Sequence, residues 1–134
     1  MHIAKLTTCA WVGGSVTCQT IDSPTWQDVE EAVRALNGSE RNDLYLQPES
    51  DDAETYLCIG GGDGRYVASG CVNNERFPTW QDPGSPAEPQ VTLTVGGQPG
   101  CYPANWILDL PMALHAARSY FEAGDFTDDK WVDP

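Results

Sequence analysis

The chain has 134 residues, 40% of them hydrophobic, with five Trp and five Tyr beside thirteen Gly and ten Pro. That is enough apolar material for one packed core, and the turn formers argue for many strands, so a disordered chain is excluded. Twenty acidic against seven basic residues leave a charge of −13, which opposes binding to nucleic acid or anionic lipid and favours either a basic partner or simple solubility.

Ile3 to Val12 and Ser15 to Ile21 are β-prone runs separated by Gly13-Gly14, a two-residue hairpin turn. In that register Val12 faces Ser15 and Cys9 lies directly opposite Cys18, close enough for a cross-strand disulfide. No stretch has the order of a secretion signal and none approaches the roughly 18 apolar residues of a membrane span, so a cytoplasmic location is expected. The five cysteines, at 9, 18, 58, 71 and 101, lack zinc spacing. In a reducing compartment they are expected to be thiols that bind no metal.

Thr25-Trp-Gln-Asp28 matches a capping box and opens a helix predicted over Trp26 to Leu36. Trp26, Val29, Val33 and Leu36 share its apolar face, and Asn37-Gly38 ends it. Asp43 to Gln47 alternates as a strand closed by Pro48, and Glu49 to Glu54 is a strongly acidic turn. Eleven acids lie between Asp22 and Asp63, opposed only by Arg34 and Arg41, which marks a negative face.

Two apolar runs, Thr55 to Ile59 and Arg65 to Val72, flank Gly60-Gly-Gly-Asp-Gly64 and read as a central hairpin with a glycine loop. A phosphate-binding loop would lead into a helix N-terminus, whereas this one leads into a strand and carries Asp63, so a turn without ligand is the plainer reading. Asn73 to Pro89 holds four prolines together with Phe77 and Trp80, which excludes regular structure. The two aromatics either pin this loop to its own sheet or face a partner. Gln90 to Val95 is a further strand, and Cys101 to Leu108 contains another candidate.

Asp109 caps a second helix, Leu110 to Glu122, whose apolar face is Leu110, Leu114, Ala117 and Phe121. His115 has no nucleophile or metal partner near it in sequence. Trp131, in the acidic tail, is expected to fold back and bury its indole. The fold class is therefore α+β, a single domain with a mainly antiparallel sheet and two packed helices.

Several signatures occur in order along the chain: Trp26 opening an acidic helix that ends Leu36-Asn-Gly38, then Gly61-Gly-Asp-Gly-Arg-Tyr-Val67 and Asn74-Glu-Arg-Phe77. Val95-Gly-Gly-Gln98, Tyr102-Pro103, Leu108-Asp-Leu110 and Gly124 followed by Trp131 continue the series. Together they resemble the Imm1 family of bacterial immunity proteins over roughly residues 24 to 132, leaving the N-terminal hairpin outside the matched motifs. The resemblance implies a protein without catalysis or cofactor of its own that binds a cognate secreted toxin domain acting on nucleic acid, a deaminase or a nuclease.

An acidic protein suits such a partner, because an enzyme that grips nucleic acid tends to be basic around its site. The expected toxin-binding surface comprises Asp51, Asp52, Glu54 and Asp63 around the central hairpin, with Glu75, Phe77, Trp80 and Asp82 from the Pro-rich loop, Trp80 serving as a desolvated anchor. Two other classes compete. One is a small acidic adaptor or ligand-binding domain; the other is an enzyme using the Gly60–Gly64 loop, Asp63 and a cysteine, which lacks a base within reach of the thiol.

Overall fold

The computed structural model describes residues 3–49, 54–82, 84 and 86–133. Asp51 and Asp52 lie outside the described residues. The fold is α+β and mostly antiparallel. Strands β1 (Ile3–Val12), β2 (Ser15–Asp22), β3 (Asp43–Pro48), β4 (Tyr56–Gly62), β5 (Arg65–Cys71), β6 (Thr79–Trp80) and β9 (Trp131–Val132) form one sheet. Its order is β2-β1-β3-β4-β5-β6-β9. Strands β7 (Val91–Val95) and β8 (Gln98–Tyr102) form a separate hairpin, followed by a 3-10 turn at Ala104–Trp106.

Helix α1 (Trp26–Ala35) begins where the capping box predicts: the Asp28 N–H donates to Thr25 Oγ1 at 3.2 Å, and the Thr25 N–H donates to Asp28 Oδ2 at 2.9 Å. Helix α2 (Leu110–Ala123) is capped by Asp109, which accepts from the Met112 N–H at 2.9 Å, and closes on Gly124 in the left-handed region. Both helices lie on one side of the sheet. Val29 and Val33 of α1 and Ala113, Ala116, Ala117 and Tyr120 of α2 share a core with Leu6, Leu44, Leu46, Leu57, Ile59 and Ala68.

The buried stripe of α2 is thus rotated from the predicted one. Ala117 belongs to both, but Leu110, Leu114 and Phe121 lie half-buried at its margin, Phe121 with its ring 5.7 Å from Trp26. Small alanines let the helix approach the sheet and α1 closely, which longer side chains at the same positions would prevent.

The glycine loop is also corrected. Gly60, Gly61 and Gly62 continue β4 and pair with Val67, Tyr66 and Arg65, so the turn is Asp63-Gly64 alone. These glycines are buried because other chain segments press on them. A Cβ on Gly60 would stand 2.5 Å from the Val95 side chain, and one on Gly62 would strike the backbone of Asn37 and Gly38. The Pro-rich stretch, expected to lack regular structure, contributes β6, which joins β5 to β9.

The cysteine expectation is overturned at one pair. Cys9 and Cys18 form a disulfide, while Cys58, Cys71 and Cys101 are free thiols. The register places the pair directly opposite, with Cα atoms 4.0 Å apart, and the bond joins β1 to β2.

Candidate functional site

Side chains alternate across a strand, so the residues between the core leucines point to the sheet face away from the helices. Tyr45, between Leu44 and Leu46, and Tyr56 and Cys58, flanking Leu57, emerge there. Ser69 and Thr79 follow on β5 and β6, and Phe77 and Trp106 close the rim. Together these side chains wall an open concavity of about 360 Å³. The Tyr45 and Tyr56 rings meet edge to face at 5.7 Å and separate it from a second hollow lined by Thr7 and Gln47.

A buried carboxylate fixes this wall. Asp43 is 2% exposed and accepts from the Trp11 indole N–H at 3.0 Å and from the Tyr45 hydroxyl at 2.7 Å. Burial, the neighbouring Cys58 and the Asp43 charge all push the Tyr45 phenol above its ordinary range. Burial, and then the charge of Asp43, push the Cys58 thiol up to about 12. A thiol held protonated at neutral pH is a poor nucleophile, which argues against Cys58 as the cysteine of the enzyme reading. Among the described residues, no group of three or more His, Cys, Asp or Glu is arranged to hold a metal ion. No helix among them is long and apolar enough to cross a membrane.

The β7–β8 hairpin covers one end of the same face. The Gly97 N–H donates to Asn42 Oδ1 at 3.0 Å, and the Trp11 ring lies over Gly97. Tyr102, at the end of β8, has its ring 6.4 Å from that of Trp106, which follows in the 3-10 turn and lines the concavity.

The residues expected to form one surface are divided. Glu54, Glu75 and Phe77 gather at the open end of the β4–β5 hairpin, where the Asn73 N–H donates to Thr55 Oγ1 at 3.2 Å. Phe77 is 49% exposed and lines the concavity. Asp63 occupies the turn at the far end, roughly 20 Å away along seven residues of strand. Asp82 is half-buried, its N–H donating to the Asn105 carbonyl at 2.8 Å and its Oδ1 accepting from the Gly84 N–H at 3.0 Å.

Trp80 is a correction. It is 0% exposed, packed edge to face on Trp131 at 5.0 Å, and cannot meet a partner in this fold. It directly follows Thr79 in the strand, so the two side chains point to opposite faces and the indole enters the core. Trp131, expected to fold back, is 8% exposed and pairs with Trp80 between β6 and β9. Tyr45, Tyr56 and Trp106 were missed as rim residues; for the tyrosines the signal was their position out of phase with the buried leucines.

No curated protein and no solved structure gives a match. A family model described as immunity protein Imm1 matches residues 19–128, which takes in α1, the central hairpin, the aromatic concavity and α2. With that match covering most of its length, the chain belongs to the Imm1 family of immunity proteins.

Proposed function

We propose that this protein binds a toxin domain encoded beside it and neutralises it by covering its active site, and that the toxin is a deaminase or nuclease acting on nucleic acid. Family membership carries the reading. The net charge of −13 supports a basic partner, since complementary charge speeds encounter and disfavours wrong partners. The site of action is the cytoplasm, where such a toxin meets its target. Phe77, half-exposed at the mouth of the aromatic concavity, is the anchor, and Glu54 and Glu75, at the same open end of the β4–β5 hairpin, are rim charges. Asp51, Asp52, Asp63 and Asp82 add to the attracting field.

The test is to express the toxin domain from the adjacent reading frame and titrate it with this protein. Deamination or cleavage of nucleic acid should stop at a one-to-one ratio. Glu54→Gln with Glu75→Gln should slow association and flatten its salt dependence, whereas Phe77→Ala should speed dissociation, at a cost of roughly 2 kcal/mol. A toxin that stays fully active at saturating protein would end the proposal.

A further inference from the structure

The outer edge of β2 is an open edge of the main sheet. Among the described residues no strand pairs beyond it, and all eight of its residues are exposed. In a chain with twenty acids and seven bases, Ser15 to Ile21 carries no charge. Its pairing to β1 runs without a bulge, and neither Pro nor Lys interrupts it. Those are the devices that keep a sheet edge from acquiring another strand. The same hairpin carries Val12 at 61%, Val16 at 47% and Ile21 at 43% exposure, three of the most exposed large apolar side chains.

The register identifies the backbone groups on offer. A two-residue turn makes Val12 and Ser15 a hydrogen-bonded pair, and the pairs then alternate along the ladder. The close Cα approach of Cys9 and Cys18, 4.0 Å, is that of a pair without mutual hydrogen bonds, and the Trp11 N–H points away from β2 to the Glu40 carbonyl at 2.7 Å. Val16, Cys18, Thr20 and Asp22 therefore turn N–H and C=O outward. The Cys9–Cys18 bond holds this edge extended, which lowers the ordering cost of pairing. The family match begins at residue 19, so β1 and the first half of β2 lie outside the matched residues.

We propose that β2 is a strand-addition site, at which an extended basic segment of the toxin domain pairs with Val16, Cys18, Thr20 and Asp22 and continues the sheet. The proposal rests on the toxin-neutralising reading. Charge selects this occupant: a second copy would bring another −13 to the edge, whereas a basic segment gains from the same field.

Two variants test it against the purified toxin domain of the adjacent reading frame, inactivated at its catalytic residue. Thr20→Pro removes one outward N–H and no bond to β1, and Val16→Lys places a repelling charge on the edge. Each should weaken binding at least about tenfold, while circular dichroism and melting temperature stay near the parent's. In the parent complex, hydrogen exchange at the amides of Val16, Cys18 and Thr20 should slow relative to the free protein. Should Thr20→Pro not fold, Val16→Lys and the exchange pattern decide the matter. If the parent binds and the edge amides still exchange freely, strand addition is overturned while toxin neutralisation stands. If the parent does not bind, both fall. A dimer of this protein without toxin, dissolved by Thr20→Pro in sedimentation, makes a second copy the occupant and overturns the proposal.

Discussion

Phe77 and Trp80 lie three residues apart, and their environments predict opposite consequences of truncation. Trp80→Ala removes a fully buried indole from between Trp131 and His115 and should cost about 3–5 kcal/mol in urea unfolding. Phe77→Ala removes a half-exposed ring and should change stability by only about 0.5 kcal/mol, so its effect is read in toxin binding. Gly62 matters for what it lacks. At φ 139° and pressed on the Asn37-Gly38 backbone, it leaves no space for a side chain. Asp43 is the residue whose role the sequence concealed most fully, a strand-initial carboxylate that accepts from Trp11 and Tyr45 at once.

At the scale of elements, turns and caps were readable because a few adjacent residues control them. The Gly13-Gly14 turn set the β1–β2 register as far as the pairing of Cys9 with Cys18, and both helix N-termini begin at the expected caps. The redox state was not readable, because compartment points to thiols while the cross-strand position of Cys9 and Cys18 admits a bond. Titration of denatured protein, purified and handled without reductant, should therefore count three thiols, with reduction raising the count to five. In the native protein, exposed Cys101 should react with an alkylating reagent at pH 8, while Cys58, buried and pushed up to about 12, should not. Five thiols before reduction would contradict the cross-strand bond.

For the molecule as a whole, the groups with raised pKa set an alkaline limit. The folded state holds the protons of Cys58, Tyr45 and Tyr120 more tightly than an unfolded chain, whose ordinary values are 9.0 for cysteine and 10.0 for tyrosine. Their contribution is fully present below pH 9 and is lost as pH rises from there through the folded-state values, because the unfolded chain releases these protons first. Stability measured by urea unfolding should be level from pH 7 to 8.5 and fall steadily above pH 9, and Cys58→Ala should remove the earliest part of the slope. A flat profile to pH 11 would show that these groups are not buried as described.

By itself the sequence determined the α+β class, the hairpins, the helix caps and the family motifs, since each depends on neighbours within a few residues or on the order of short patterns. Tertiary structure decided which apolar groups became core. Strand parity sent Trp80 inward, while Phe77, ahead of β6, stayed at the rim of the aromatic concavity. The approach of Val95 and Asn37 turned a supposed glycine loop into buried strand. The same strand length carries Asp63 away from Glu54 and Glu75, dividing residues that are neighbours along the chain. Burial and separation in space depend on segments distant in sequence, and only their packing together sets them.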